Sequence, residues 1–256
     1  MIAGQLTPLL RVSQLVKSFG TPTAATLVLD GIDLCLRPNQ VCALVGPSGC
    51  GKSTLLNVIS GLEEPTTGSV EKTVSLRIGY MMQDALLLPW RTLIQNASLG
   101  AEIQNGETHH SCDDLHELFE KVGLKGFENH YPSTASGGMK QRVALVRTLV
   151  TRPECALLDE PFSSLDFDVK IRVQRILLDF LRQRRMSALL VTHDIEDAIA
   201  LSDEIVVLSN RPAKVGATIA VELGIERRDP VEARKSADFP KYFSRIWEEM
   251  RQISHE

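Results

Sequence analysis

Residues 46–54 read Gly-Pro-Ser-Gly-Cys-Gly-Lys-Ser-Thr, and this nonapeptide constrains the fold more than any other stretch of the chain. It stands between an apolar run, Val41-Cys42-Ala43-Leu44-Val45, and Leu55-Leu56-Asn57-Val58-Ile59, which can continue as a helix. Gly-x-x-x-x-Gly-Lys-Ser between a strand and a helix is the pattern of a phosphate-binding loop. Its glycines let successive backbone N–H groups turn toward one anion where a Cβ would intrude. The helix that starts near Lys52 adds the positive end of its dipole. Gly46, Pro47, Ser48, Gly49, Cys50, Gly51, Lys52, Ser53 and Thr54 are therefore expected to surround the phosphates of a nucleotide. Lys52 is expected at the β- and γ-phosphates and the Ser53 hydroxyl on Mg²⁺.

The apolar character of Val41–Val45 returns at Cys155–Leu158, Ala188–Val191 and Ile205–Leu208, as strands buried on both faces should read. Helical patterns fall between them; Val169, Val173, Ile176, Leu177 and Phe180 share one helix face. Strands alternating with helices predict an α/β fold with a mainly parallel sheet. Val12–Phe19 and Leu27–Leu36 read as half-buried N-terminal antiparallel strands. Residues from about 85 to 150 break the rhythm, with helices and no clear strand, and read as an inserted helical subdomain. Leu115, Leu118, Phe119 and Val122 mark one helix there, ended by Gly123. From about 211 to 256 an edge strand (Val215, Ala217, Ile219, Val221) precedes a helix with Phe239, Phe243, Ile246, Trp247 and Met250 on its apolar face.

A chain of 256 residues suits one large domain, so residues 1–256 are taken as a single unit. A formal net charge of −4 argues against a surface built for nucleic acid. No apolar stretch approaches the roughly 18 residues of a membrane span, and the N-terminus lacks the pattern of a secretory signal. Five scattered cysteines without a Cys-x-x-Cys pair suit a reduced compartment. His109, His110, Cys112 and His116 crowd one polar segment, but their spacing fits no usual zinc pattern, and a solvated loop running into a helix is expected.

Two further segments carry chemistry. Cys155-Ala156-Leu157-Leu158-Asp159-Glu160 is an apolar strand ending in two carboxylates. Asp159 is positioned for a Mg²⁺ shell beside the phosphate loop, and Glu160 to orient or deprotonate an attacking water. Ser136-Gly137-Gly138 precedes a helix and offers a second anion-binding geometry, a hydroxyl with two glycine N–H groups. Two phosphate-reading loops in one chain suggest half-sites completed by another subunit; a plain Gly-rich helix start is the bland alternative.

The order of the phosphate loop, Gln83, Ala135-Ser136-Gly137-Gly138-Met139-Lys140-Gln141-Arg142-Val143, the Asp159-Glu160 strand, Ser163-Ser164-Leu165-Asp166 and His193 resembles the nucleotide-binding subunit of an ABC transporter. The likeness spans about residues 10 to 210 and implies a P-loop NTPase core. It further implies that Gln83 senses Mg²⁺ and the γ-phosphate, that His193 contacts the γ-phosphate, and that Phe19 stacks on adenine, a core role for Phe19 being the alternative. Ser136, Gly137, Gly138 and Asp166 would act in trans across a dimer of this chain or a paired nucleotide-binding subunit. Leu86-Leu87-Leu88-Pro89-Trp90-Arg91 and Asn210-Arg211-Pro212 are similar to the nitrate, sulfonate and taurine import group. The resemblance thus implies ATP and Mg²⁺ as cofactors and an integral membrane permease as partner. It also implies a solute-binding protein acting indirectly and a peripheral place on the cytoplasmic face of the inner membrane. Ala135 departs from the usual Leu, with a looser loop expected, and Asn39-Gln40 replaces the common Gly-Glu. The rival readings are a non-transport ABC ATPase acting on ribosomes or DNA, and a small-molecule kinase, which would need neither Ser136-Gly137-Gly138 nor His193.

Overall fold

A computed structural model describes residues 7–21, 24–105, 112–225 and 229–255; His109 and His110 of the polar segment lie outside them. In chain order the elements are β1 (Leu10–Phe19), β2 (Thr26–Leu36), β3 (Val41–Val45), α1 (Lys52–Ser60), β4 (Thr67–Lys72), β5 (Ile78–Met81), α2 (Leu93–Asn105), α3 (Cys112–Lys121) and α4 (Gly137–Val150). Then come β6 (Cys155–Asp159), α5 (Phe167–Arg184), β7 (Ser187–Val191), α6 (Ile195–Leu201), β8 (Glu204–Leu208), β9 (Val215–Ala220), α7 (Pro230–Lys235) and α8 (Phe239–His255).

The continuous apolar runs become the middle of a six-stranded sheet, ordered β5-β6-β7-β3-β8-β9. All neighbours pair in parallel except β9, which runs antiparallel to β8 as the expected edge strand. Alternate residues face two apolar cores. Ala43, Val45, Ala156 and Leu158 join one with the helices, and Cys42, Leu44, Cys155 and Leu157 join the other, beneath the antiparallel strands. That double burial removes the polar alternation a one-sided strand would show. A second, three-stranded antiparallel sheet, β2-β1-β4, covers α1 and the second core.

Two strands escape the sequence pattern. β4, Thr-Gly-Ser-Val-Glu-Lys, is an edge strand with almost every side chain exposed, so it shows no apolar alternation. β5 has four residues, too few for a period to declare itself. The helices between 85 and 150 do appear, and α2, α3 and α4 share one apolar core with the sheet through Leu93, Ala97, Phe119, Val122 and Val143. In α8 the expected apolar face is only half covered. Phe239 and Ile246 are buried, whereas Phe243 and Trp247 stay exposed with their rings stacked 6.4 Å apart. The Asn39-Gln40 turn closes itself: Asn39 takes a φ of 60° and the Gln40 Oε1 accepts from the Arg37 N–H at 2.8 Å. Ala135 is half-buried, so the packing lost with the missing Leu side chain is smaller than at a sealed core position.

Candidate nucleotide site

The loop between β3 and α1 is shaped by close approach of its neighbours. A Cβ on Gly46 would stand 2.8 Å from the Leu208 carbonyl oxygen, and one on Gly51 2.9 Å from Val28 and Leu29 side-chain carbons. Both glycines also have positive φ (159° and 123°), and Gly51 caps the start of α1. Lys52 is 8% exposed and its Nζ donates to the carbonyls of Gly46 (2.8 Å) and Pro47 (2.9 Å). The ammonium therefore sits inside the curl of the loop, where an incoming phosphate would compete for it.

β6 delivers the carboxylates. Asp159, its last residue, is 2% exposed; burial pushes its carboxyl up, opposed by a hydrogen bond from the Ser53 hydroxyl and the charge of Lys52. Its Oδ1 has no hydrogen-bond partner among the described residues. A buried acceptor without a donor, beside a serine hydroxyl, suits a small hard cation, and Mg²⁺ prefers such oxygen ligands. β5 pairs with β6 so that Met81 lies opposite Leu158, which brings Gln83 to the same sheet end. Ser53, Gln83 and Asp159 line one cavity with Lys52 and Glu160.

Glu160 follows in a left-handed conformation, φ 51°, which costs a non-glycine residue about 1–3 kcal/mol and is typical of functional sites. What holds it there is legible in the contacts. Its N–H donates to the Val191 carbonyl (3.0 Å), and its carbonyl accepts from the Gln141 Nε2 (2.6 Å). Gln141 also donates to the Ser163 Oγ (3.1 Å) and accepts from the Ser164 N–H (2.9 Å). This buried glutamine of α4 thus fastens Glu160 to the Ser163–Asp166 loop. Sequence reasoning gave Gln141 no role, because its partners lie about twenty residues away.

His193, just beyond β7, meets Glu160: Nδ1 is 2.9 Å from Oε2. An ionised carboxylate only accepts, so the geometry assigns the hydrogen to Nδ1 and leaves Nε2 for another partner. The next residue, Asp194, caps α6 through the N–H groups of Glu196 and Asp197 and binds Lys170 Nζ at 2.6 Å. The histidine is therefore anchored on both sides.

The remaining expected residues stand apart from this cavity. Ser136 caps α4, its Oγ accepting from the Met139 N–H, and Asp166 caps α5 through the Val169 N–H. A Cβ on Gly138 would lie 2.9 Å from the Ser164 carbonyl oxygen, so the two loops abut. None of Ser136, Gly137, Gly138 and Asp166 lines the cavity. Phe19 ends β1 with 40% of its surface exposed and Lys17 Nζ 4.6 Å from its ring centroid; an exposed ring suits stacking, not a core. Cys50 turns inward instead: it is 2% exposed, packs in the core beneath the loop and leaves only backbone for phosphate contact. Alkylation of Cys50 in the folded protein, followed by mass spectrometry, should be slow and equal with and without ATP. Nucleotide-dependent labelling would contradict this burial.

One more segment is built with care. Asn96, fully buried, accepts from the Leu88 N–H (2.7 Å) and donates to the carbonyls of Leu88, Arg91 and Thr92. Arg147 of α4 donates to the carbonyls of Ala85 and Leu86. The loop after Gln83 is thereby fixed with Leu86 61% and Trp90 73% exposed.

Comparison with known proteins agrees with this geometry. The family model described as ABC transporter matches residues 29–163. The chain is 41% identical over 217 residues to an aliphatic sulfonates import ATP-binding protein of Pseudomonas syringae pv. tomato, covering 84% of this chain and 91% of the relative. It is 37% identical over 239 residues to the Bacillus subtilis protein of the same name, covering 91% of each. Among solved structures, a dimeric ATP-binding cassette in a post-hydrolysis state with ADP and phosphate superposes with a TM-score of 0.75 at 26% identity, over 83% of this chain and 99% of the other. The chain belongs to the ABC transporter family, as one of its ATP-binding, ATP-hydrolysing cassettes.

Proposed function

We propose that the chain is the ATPase subunit of an importer of the sulfonate-type group, working in pairs on the cytoplasmic face of the inner membrane against an integral permease. Residues 1–256 act as one nucleotide-binding domain, with a helical part at about 85–150 and a C-terminal strand and helix from about 211. The observation that carries the hydrolytic half is the Glu160–His193 pair, 2.9 Å apart, beside the cavity lined by Lys52, Ser53, Gln83 and Asp159. Lys52 and the loop N–H groups hold the β- and γ-phosphates, and Phe19 stacks on the base. Ser53, Gln83 and Asp159 would hold Mg²⁺, which when bound neutralises charge on the phosphate oxygens. Glu160 orients a water and takes its proton, while His193 steadies Glu160 through Nδ1 and presents Nε2 toward the terminal phosphate. Ser136, Gly137, Gly138 and Asp166 do not line the cavity of their own chain and would complete the site of a partner. The dimeric cassette to which the chain is similar supports such pairing.

The import half rests on Leu86 to Trp90. Large apolar side chains held outward beside Gln83 mark a partner site, and Trp is a common anchor of such contacts. Relatives named for aliphatic sulfonate import support a permease as that partner. A solute-binding protein upstream belongs to the same proposal, and the choice of solute rests with those subunits. No described helix is long and apolar enough to cross a membrane. Trp90→Ala is therefore expected to abolish coupled transport in liposomes while melting within about 2 °C of the parent, as exposed substitutions do. Co-purification with the permease should weaken in parallel. A large melting shift with proportionate loss of ATPase and transport would defeat this reading, and so would transport at the parental rate.

A further inference from the structure

Arg211 stands in the turn after β8, at a position the phosphate-loop and carboxylate motifs do not mark. β8 pairs with β3 so that Val207 lies beside Val45, which leads directly into the phosphate loop. The turn itself is tied down on two sides. Ser209 N–H donates to the Lys214 carbonyl (2.9 Å), and Ala213 exchanges hydrogen bonds with β2, donating to Val28 (2.8 Å) and accepting from Asp30 (2.9 Å). From this support the Arg211 Nη2 donates to the Gly49 carbonyl at 2.8 Å, and the residue lines the cavity that holds Lys52, Asp159 and Glu160.

Two features make that contact more than a surface hydrogen bond. Gly49 has a φ of 74° and open space where a Cβ would stand, so no neighbouring segment packs against that side of the loop's crest. The charges lining the cavity are also unbalanced without Arg211: Lys52 alone would face the carboxylates of Asp159 and Glu160, and a triphosphate adds further negative charge. A guanidinium stays protonated and offers several donors in a rigid fork, so one can brace a carbonyl while the charge serves a phosphate.

We propose that Arg211 is a positioning residue of the nucleotide site, bracing the phosphate loop at Gly49 and supplying the second permanent positive charge on the wall that receives the triphosphate. This rests on the reading of the cavity as the ATP site. Calorimetric titration of ATP–Mg²⁺, with melting temperature and steady-state ATPase on the same preparations, tests it in Arg211→Gln and Arg211→Lys. In Arg211→Gln the Kd and KM for ATP should rise about tenfold, the scale of one charge-assisted hydrogen bond, with kcat moving much less. Arg211→Lys, which keeps the charge, should recover most of the affinity, and both variants should melt within about 2 °C of the parent. Raising the salt concentration should narrow the gap between parent and Arg211→Gln, as screening requires. Parent-like affinity in Arg211→Gln would overturn the proposal, as would equal weakening in Arg211→Lys or a fall in kcat with KM unchanged. A parent chain that binds no ATP would remove the nucleotide reading and Arg211's role with it. A parent that binds while Arg211→Gln binds equally well removes Arg211 alone.

Discussion

Glu160→Gln is expected to lower steady-state ATP hydrolysis by about three orders of magnitude while leaving ATP affinity near that of the parent, since positioned general bases contribute about 10²–10⁴-fold. The asymmetry follows from what the side chain touches. Its Oε2 meets His193, whereas in the proposed site affinity comes from Lys52 and the loop N–H groups. The backbone of residue 160 is held by Val191 and Gln141 through main-chain atoms, so an amide in place of the carboxylate leaves the φ of 51° undisturbed. Gln can still accept from the His193 Nδ1–H through its amide oxygen; it cannot take a proton from water. With hydrolysis stopped after binding, the variant should accumulate as an ATP-bound pair of subunits, visible as a shift in size-exclusion volume on adding ATP. Turnover near the parental rate would remove Glu160 from the role of base. Loss of ATP affinity together with turnover would mean that the Glu160 carboxylate serves nucleotide binding as well, against the asymmetry expected.

The difference between what could and could not be read from the residues has a physical basis. The placement of the phosphate loop, Asp159 and Glu160 in one cavity was legible because a glycine pattern or a strand end fixes backbone shape within a few residues. The five parallel strands betrayed themselves by burial on both faces, apart from the four-residue β5. β4 was silent, since an exposed edge strand made of Thr67, Gly68, Ser69, Val70, Glu71 and Lys72 is held by backbone pairing to β1 and by little else. Gln141 and Arg211 were marked only as members of motifs and Asn96 not at all, and the roles of all three escaped for one common reason: each acts on backbone carbonyls or N–H groups of other segments, and such partners leave no trace in side-chain spacing. A signal did exist for Asn96, a polar side chain among the apolar positions of a helix, which must find partners when buried. Phe243 and Trp247 mark the opposite failure. They sit at helical spacing with Phe239 and Ile246, but a helix face can be wider than the surface it covers.

Lys52→Ala is expected to weaken ATP binding by about two orders of magnitude, and hydrolysis at any attainable ATP concentration should fall with it. The Nζ lies within 3 Å of the Gly46 and Pro47 carbonyls, at 2.8 and 2.9 Å, so binding exchanges those two neutral acceptors for phosphate oxygens. Hydrogen bonds to charged groups contribute roughly 1.5–3 kcal/mol, and only the surplus over the carbonyl contacts appears as affinity. That surplus is larger here than on an exposed surface, because Lys52 is 8% exposed and water screens the contact poorly. The substitution acts a second way, since Gly46 and Pro47 lose their donor and the first turn of the loop loosens. Lys52→Arg separates the two contributions: it keeps the charge, but its planar fork does not fit a curl shaped for a single ammonium, and it should recover part of the affinity. Isothermal titration of ATP–Mg²⁺ against parent, Lys52→Ala and Lys52→Arg gives the ordering directly. An Ala variant within a few-fold of the parent would contradict the assignment of residues 46–54 as the phosphate loop. An unchanged melting temperature alongside the lost affinity would place the effect on the phosphate and not on the fold.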